Sequence, residues 1–353
     1  MPRKPRLDPA IFNLPLAKMR EGYYSDKYFV RARDVLLRDK HRPRVTMQVF
    51  GKTHAYLGGS DEVIAILKLC AQSWAELEVS ALYDGDEIAP WETVLLIEGP
   101  YDAFAVLETL YLGVLARRTR VGTNTHRVVE AAKPKQVMFF PARHDHWLVQ
   151  TGDGYAAHIA GAIGVSTDAQ ASWWGSEGVG TVPHALIAAY GGDTVKASVK
   201  FAEHMNDPSI RLITLVDFDN DCVKTSLDVA RALGQRLYGV RIDTSETLVD
   251  KSIVPQMGLT KPTGVIPQLV WNVRRALDKE GFQQVKIVVS GGFTVEKIRL
   301  FEEQGVPVDM YGVGSSLFQG RFDFTADIVR VEGKPCAKVG RSYRPNPRLE
   351  RVE

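Results

Sequence analysis

The pattern of hydrophobic and polar residues along this chain changes near residue 134. Beyond that point, short apolar runs alternate with segments in which apolar residues recur every three or four positions, the period of an amphipathic helix. Two such segments, 223–233 and 268–280, are each followed by glycine, a common helix stop. Repeated strand–helix units predict a parallel sheet, and their number favours a barrel over an open sheet. The predicted strands are 136–140, 212–216, 238–242, 285–289 and 308–311.

The first hundred residues predict a smaller α+β layer. Alternating apolar and polar residues over 45–49 indicate a half-buried strand, and a second strand is predicted over 94–97. Between them, an apolar stripe predicts a helix over 63–71 that Asp61 can cap. Two successive helices are predicted next, the second near 126–132.

The last segment returns to short strand-like pieces and ends in a basic tail that contains proline. We expect it to rejoin the N-terminal layer, so that this layer is built from both chain ends. The fold class predicted is α/β, a (β/α) barrel with a separate α+β domain. The predicted domains are 1–120 for the N-terminal α+β domain, 121–322 for the barrel and 323–353 for the returning segment.

Two glycine-rich turns follow the last two predicted strands. Glycine lets the backbone approach an anion closely, and the N–H groups at the start of a following helix point towards it. The loops after the last two strands of a barrel are a frequent phosphate site. A phosphorylated ligand is therefore the first inference. The residues concerned are Ser290, Gly291 and Gly292 in the first turn, and Gly312, Gly314 and Ser315 in the second.

Charged side chains stand where the earlier strands should finish. Because the carboxyl ends of barrel strands converge on one mouth, these groups are expected to share a site. Three aspartates follow the second predicted strand, and one of them is expected to cap a helix instead of contacting a ligand. Two histidines, His144 and His146, have no third partner at a metal-binding spacing, so metal ligands stay unassigned. The strand-end residues are Arg143, then Asp217, Asp219 and Asp221, then Arg241 and Asp243.

Composition narrows the classes of partner. Of 353 residues, 45% are hydrophobic and 24% charged, as in an ordinary globular protein. The formal net charge of +2 gives no electrostatic case for nucleic acid. Three scattered cysteines indicate neither a disulfide framework nor a zinc ribbon. With no signal-peptide pattern and no bilayer-length apolar run, we expect a cytoplasmic protein without a membrane partner.

Several motifs together carry a family resemblance. YYSDKYF (23–29), FFPARHDHW (139–147) and GTVPHAL (180–186) are followed by LVDFDND (215–221), GVRIDTSETL (239–248), VVSGGF (288–293) and YGVGSSL (311–317). In this order they resemble the nicotinate phosphoribosyltransferase family, the type II phosphoribosyltransferases. The resemblance runs from about residue 23 to 320.

The resemblance implies an irregular α/β barrel joined to an α+β sandwich made from both chain ends. It implies a homodimer with active sites at the subunit interface. The implied reaction joins nicotinate to 5-phosphoribosyl 1-pyrophosphate, giving nicotinate mononucleotide and pyrophosphate, a step of NAD biosynthesis. Mg²⁺ is the implied metal, and ATP is an implied co-substrate whose hydrolysis is coupled through a phosphohistidine.

By position, the resemblance also implies how the pyridine ring is bound. Phe140 and Tyr28, the latter supplied by the partner subunit, would sandwich the ring, an arrangement that suits a flat heteroaromatic acid. Arg143 and Arg241 would meet the nicotinate carboxylate or the phosphates, because a guanidinium fork matches such anions.

The remaining implied roles concern the reacting groups. His184 matches the histidine that is phosphorylated from ATP. Asp243 and Asp217 would hold ribose hydroxyls or the magnesium shell. The two glycine turns would cradle the 5-phosphate of the donor. The implied mechanism is displacement at the anomeric carbon through an oxocarbenium-like transition state, with nearby carboxylates favouring the positive charge.

Two departures from the family pattern leave the bound acid open. The second arginine common after Phe-x-x-Arg is His144 here, and the usual Asp-Ser-Gly-Asp is replaced by Asp-Thr-Ser-Glu over 243–246. Quinolinate, with decarboxylation, is the alternative substrate. A phosphate-binding barrel lyase or isomerase is more remote, since no predicted strand ends in a Schiff-base lysine. A non-catalytic binding protein is disfavoured by the dense charges at the strand ends.

Overall fold

The computed structural model describes residues 5–205, 207, 209–256, 258 and 262–353. The chain divides into two compact units. The first contains the described residues of Met1–Asn124 together with Thr151–Ala160 and Phe318–Glu353, and the second contains Thr125–Gln150 and Gly161–Leu317. The first unit is thus built from both chain ends.

Strands and helices are numbered in chain order. The strands are β1 Arg44–Gly51, β2 Ala55–Tyr56, β3 Glu78–Ala81, β4 Glu87–Ile88, β5 Thr93–Pro100, β6 Gln136–Phe139, β7 Gly164–Val165, β8 Ile213–Leu215, β9 Gly239–Ile242, β10 Lys286–Val289, β11 Met310–Val313, β12 Phe324–Val331, β13 Lys334–Pro335 and β14 Glu350–Arg351. The α-helices are α1 Leu16–Glu21, α2 Lys27–Asp39, α3 Ser60–Cys70, α4 Glu108–Ala132, α5 Gln150–Ile159, α6 Asp168–Ala171, α7 His184–Ala189, α8 Thr194–His204, α9 Cys222–Leu233, α10 Pro267–Lys279 and α11 Val295–Glu303. Short 3₁₀ turns lie between several of them.

The first unit is organised around an antiparallel sheet in the order β13-β12-β1-β5-β3-β14. Met47 of β1 pairs with Ile97 of β5 on one side and with Ile328 of β12 on the other, so a C-terminal strand completes the N-terminal layer. Helix α3 contributes Leu67 to the apolar core of this unit. The α+β sandwich built from both chain ends is therefore confirmed.

The cap of α3 differs from the prediction. The helix begins at Ser60, one residue before Asp61, and the carboxylate of Asp84 accepts hydrogen bonds from the backbone N–H groups of both residues, at 2.6 and 3.3 Å. Asp61 accepts bonds from Arg6 and from the Leu7 N–H instead. A carboxylate remote in sequence takes the capping role that a local rule assigned to Asp61.

One helix, α4, replaces the two helices predicted in this stretch. It runs for 25 residues without proline. Its mid-helix arginines do not interrupt it, because Arg117 and Arg118 both bond the buried carboxylate of Asp153 and Arg118 also reaches Glu62. Paired charges can remain on the helix without favouring a turn.

The second unit holds a curled parallel sheet in the order β7-β6-β11-β10-β9-β8. Val288 of β10 lies in register with Arg241 of β9 and with Met310 of β11, which in turn pairs with Gln136 of β6. The strands are buried, with helices α9, α10 and α11 in the connections. This half-barrel sheet confirms the α/β barrel fold class.

Two strands of this sheet differ from the prediction. The last predicted strand is displaced by two residues, so Gly312 lies inside β11 and the turn begins at Gly314. Val306 and Val308 are buried in the preceding loop, which explains their strand-like pattern. Strand β7 was not predicted, because two residues carry no periodicity. Among the described residues, no helix combines the length and apolar character needed to cross a membrane.

Candidate active site

Arg241, on β9, lies at the centre of a hydrogen-bonded group at the carboxyl edge of the parallel sheet. Its Nε donates to Ser290 Oγ (2.8 Å), its Nη2 to Asp243 Oδ2 (3.1 Å) and its Nη1 to Thr181 Oγ1 (3.4 Å). The Ser290 hydroxyl in turn donates to Asp243 Oδ1 at 2.7 Å. Because β9 and β10 are parallel neighbours in register, their ends bring these side chains together. The set of Arg241, Ser290 and Asp243 is called the arginine ring below.

Phe140 lies beside the arginine ring, directly after β6. The Arg241 Cζ is 5.0 Å from the centre of the Phe140 ring, within the range of a cation–π contact. A Cβ built on Gly312, in the neighbouring strand β11, would overlap the Phe140 ring. Glycine at 312 therefore makes room for the aromatic ring.

The second turn glycine has a similar neighbour. A Cβ on Gly314 would lie 3.0 Å from the imidazole of His144. Both glycines of YGVGSSL thus face rings of the segment that follows β6. Their phosphate role stays a prediction, as does that of Ser315, which opens a short 3₁₀ turn.

His184 and Asp217 form a dyad in the second unit. His184 Nε2 lies 2.9 Å from Asp217 Oδ1, in a hydrogen bond between a half-exposed imidazole and a buried carboxylate with 43% and 8% of their side chains exposed. A bridge between Val182 and Thr214 aligns the segment before α7 with β8 and so positions the pair. The hydrogen bond to Asp217 raises the pKa of His184, against the opposing effect of its burial.

The three aspartates after β8 have separate surroundings. Asp217 bonds His184, Asp219 is exposed, and Asp221 caps α9 by accepting a bond from the Lys224 N–H at 3.3 Å. The prediction that one of the three is a helix cap is confirmed by Asp221. The dyad and the cap account for two of the three.

Asp250, which was not among the predicted residues, holds the loop that carries these aspartates. Its carboxylate is fully buried and accepts bonds from the Cys222 N–H (2.8 Å) and from the N–H and hydroxyl of Ser252 (2.8 and 2.7 Å). Asn220, in a left-handed conformation, bonds the carbonyl of Val249. No local pattern marks an aspartate whose partners lie in another loop.

The first glycine turn, after β10, is flanked by carboxylates. Gly291 and Gly292 both have positive φ values, 84° and 68°, which glycine adopts without strain. A Cβ on Gly291 would lie 3.3 Å from Asp243 Oδ1, and one on Gly292 would overlap the carboxylate of Glu246. The helix that follows, α11, is capped by Thr294, whose hydroxyl accepts a hydrogen bond from the Lys297 N–H at 3.3 Å.

Two predicted ligand-binding side chains are exposed. Arg143 lies in a 3₁₀ turn after β6 and has no hydrogen bond or ion pair with any other described residue. Tyr28 lies on α2 of the first unit, with 61% of its surface exposed. Both side chains are therefore available to a ligand or to a partner subunit.

Mg²⁺, the metal that the family resemblance implies, needs oxygen ligands. No group of three or more His, Cys, Asp or Glu side chains in the described part of the chain is arranged to hold a metal ion. Mg²⁺ is commonly bound through one or two carboxylates together with substrate phosphates. Asp217, with one oxygen bonded to His184, and Glu246, beside Gly292, each offer one carboxylate of the kind that such binding uses.

Comparison with known sequences identifies relatives. The family model described as quinolinate phosphoribosyl transferase, N-terminal domain, matches residues 26–119. A nicotinate phosphoribosyltransferase of Mycobacterium tuberculosis is 28% identical over 278 residues, covering 76% of this chain and 57% of that protein. The nicotinate phosphoribosyltransferase of Bacillus subtilis is 24% identical over 240 residues, covering 67% and 45%. The chain spans about half the length of these curated relatives.

Solved structures extend the comparison to nearly the whole chain. The nicotinate-nucleotide pyrophosphorylase from Pyrococcus furiosus is 32% identical, with a TM-score of 0.80, covering 97% of this chain and 85% of that one. Human nicotinic acid phosphoribosyltransferase shares the fold, with a TM-score of 0.69 at 16% identity, covering 88% and 75%. Given this identity, this coverage and the motifs that surround the arginine ring, the chain belongs to the nicotinate phosphoribosyltransferase family, the type II phosphoribosyltransferases.

Proposed function

We propose that this protein transfers the phosphoribosyl group of 5-phosphoribosyl 1-pyrophosphate to nicotinate. The products are nicotinate mononucleotide and pyrophosphate, a step of NAD biosynthesis. The observation that carries the proposal is the guanidinium of Arg241, fixed by three hydrogen bonds beside the face of Phe140. The proposal is supported by the curated relatives, which bear the name nicotinate phosphoribosyltransferase.

The arginine ring offers a site for one carboxylate beside an aromatic platform. Three of the five N–H groups of the Arg241 guanidinium are used by Ser290, Asp243 and Thr181, which leaves two without a partner among the described residues. Two parallel N–H groups match one carboxylate. Nicotinate combines one carboxylate with a flat ring that can stack on Phe140.

The reaction needs little acid–base chemistry. The pyridine nitrogen attacks the anomeric carbon as the bond to pyrophosphate breaks, and the sugar carries positive charge in between. The carboxylates of Asp217 and Asp243 favour that charge electrostatically. Mg²⁺ bound to the pyrophosphate would neutralise the leaving group. No residue has to remove a proton, because the pyridine nitrogen already has a free electron pair.

We further propose that ATP is coupled to the reaction through His184. The imidazole has one nitrogen bonded to Asp217, which fixes its orientation, and the side chain is still 43% exposed to an incoming phosphate. In the same proposal the protein works in the cytoplasm as a homodimer. Tyr28 of the partner subunit then covers the free face of the pyridine.

A direct assay tests this function. The protein is incubated with phosphoribosyl pyrophosphate, Mg²⁺ and each of nicotinate, nicotinamide and quinolinate, with and without ATP, and pyrophosphate release is measured. Nicotinate is expected to be the preferred acceptor, and ATP to raise the yield. Arg241→Gln should raise the KM for nicotinate, whereas Arg231→Gln, which changes a surface ion pair with Glu280, should not. Absence of pyrophosphate release with all three acceptors would contradict the proposal.

Quinolinate remains the second candidate because of one observation. The N-terminal match is to the quinolinate phosphoribosyl transferase domain. Quinolinate carries two carboxylates and so needs a second cation beyond Arg241. Arg143 is the exposed cation nearest in sequence to Phe140. Release of CO₂ together with pyrophosphate would identify this reaction.

A further inference from the structure

We propose that Ser290 is a positioning residue for Arg241 and sets the affinity for the acceptor acid, instead of binding the phosphate of the donor. This inference rests on the proposed function, because it concerns the carboxylate that Arg241 would bind. The sequence placed Ser290 in a phosphate cradle on account of the two glycines that follow it. The contacts of its side chain support a different role.

The hydrogen-bonding capacity of Ser290 is taken up within the arginine ring. Its single O–H donates to Asp243 Oδ1 at 2.7 Å, and its oxygen accepts the Arg241 Nε–H at 2.8 Å. A phosphate oxygen can only accept hydrogen bonds. The one proton that the Ser290 hydroxyl could donate is already bonded to Asp243. The residue is also buried, with 3% of its surface exposed. The hydroxyl therefore makes its hydrogen bonds within the protein and not to an incoming anion.

The same contacts fix the plane of the guanidinium. An arginine held at one nitrogen can rotate about that bond, whereas Arg241 is held at Nε, Nη1 and Nη2 by residues from three segments of the chain. The bond at Nε comes from Ser290, directly after the neighbouring strand β10, and is the shortest of the three. Without this bond, the guanidinium can rotate away from its place beside Phe140. A fixed guanidinium binds a carboxylate with less loss of conformational entropy.

Ser290→Ala removes only the hydroxyl and adds no atom at this packed position. The KM for nicotinate is expected to rise about tenfold to a hundredfold, the usual effect of losing a hydrogen bond to a charged group. The KM for the phosphoribosyl donor is expected to stay at the wild-type value. The matched control is Ser315→Ala, the serine of the other predicted phosphate turn, which has no hydrogen bond to Arg241. It is expected to change the donor KM alone.

A double-mutant cycle separates positioning from a general loss of structure. In an Arg241→Lys background the Nε group is absent, so Ser290→Ala should have little further effect on the nicotinate KM. Equal effects in both backgrounds would overturn the proposal. A rise of the donor KM in Ser290→Ala, with an unchanged nicotinate KM, would return the residue to the phosphate site.

A crystal structure of Ser290→Ala gives a readout that needs no turnover. The Arg241 guanidinium is expected to leave its place beside Phe140, and a guanidinium that stays there would overturn the positioning role. Wild-type protein that turns over none of the three pyridines would contradict the proposed function. The position of Arg241 in the variant would still decide the role of Ser290.

Discussion

At the scale of single residues, the site depends on close approaches that only particular side chains allow. Gly312 and Phe140 are the clearest pair, because any Cβ at 312 would overlap the aromatic ring. The dyad of His184 and Asp217 is another, since its hydrogen bond changes the protonation of the imidazole. Each pair leads to a prediction about one substitution.

Gly312→Ala is expected to displace the Phe140 ring and so weaken nicotinate binding. Overpacking of a buried site costs about 1–3 kcal/mol, which corresponds to a rise of roughly fivefold to 150-fold in the nicotinate KM if the ring moves. Steady-state kinetics measures the change. The control is Gly113→Ala in α4, where nothing lies within 4 Å of the added Cβ and helix propensity improves. Equal KM values for Gly312→Ala and wild type would contradict the packing argument.

Asp217→Asn is expected to lower the pKa of His184. The bond to the carboxylate favours the imidazolium, so the wild-type pKa is raised and the neutral, nucleophilic form is populated only at higher pH. Without that charge, the rise of ATP hydrolysis with pH should move to lower pH. The measurement is an NMR titration of the His184 resonance, assigned with His184→Asn, beside the pH profile of ATP hydrolysis. An unchanged titration in Asp217→Asn would show that the carboxylate does not control the imidazole.

At the scale of elements, hydrogen bonds of buried polar groups connect loops to helices and strands that are remote in sequence. Asp250 connects the loop at its own position to the start of α9, and Asp84 caps α3 from another loop. Arg241 joins the ends of β9 and β10 and the segment before α7 in the same way, through its bonds to Ser290 and Thr181. These ties align the strand ends that carry the site.

Asp250→Ala is expected to lower the free energy of unfolding by about 2–4 kcal/mol, because three donors lose a buried charged acceptor. The loop after β8 should loosen, and ATP coupling through Asp217 should fall with it. Urea unfolding and ATP hydrolysis measure the two effects. Asp228→Ala is the matched control, since its ion pairs with Lys224 and Arg231 on α9 are on the surface and contribute about 0.3–0.5 kcal/mol each. A variant at 250 as stable as this control would refute the role of the carboxylate.

At the scale of the whole molecule, buried acids in the first unit couple folding to pH. Burial is the largest cause that raises the pKa of Glu108 to about 8, with smaller contributions from Asp327 and Asp26. Burial also raises the pKa of Asp84 to about 7, with a contribution from Asp61. Each group keeps a proton in the folded protein at a pH where the unfolded chain has lost it.

Stability is therefore expected to fall as the pH rises from about 4.5 to about 8, and Glu108→Gln should remove part of this fall. Between these values the unfolded state binds fewer protons at position 108 than the folded state, so a higher pH favours unfolding. Urea unfolding of wild type and Glu108→Gln at pH 5 and pH 8.5 measures this pH dependence. The contributions of the other titrating groups are the same in both proteins and cancel in the difference. The variant should gain stability relative to wild type as the pH rises. A constant difference would mean that Glu108 ionises normally.

Much of the fold could be predicted because its signals are local. Hydrophobic periodicity located five of the six strands of the parallel sheet to within about two residues. The caps at Thr294 and Asp221 follow from rules that span four residues. The boundary between the glycine turn and β11 was misplaced, since buried loop residues have the same pattern as a strand. The single helix α4 was divided, because paired arginines look like a break when their partners are unknown.

The sequence by itself determined the order of five parallel strands, the glycine turns and the identity of the residues at the strand ends. Only the tertiary structure decided what those residues bind. Ser290 stands next to two glycines in the sequence but bonds Arg241 and Asp243 from the neighbouring strand. The physical reason is that strand register, not sequence separation, brings these groups within hydrogen-bonding distance. A hydroxyl binds the donor and acceptor that register places beside it.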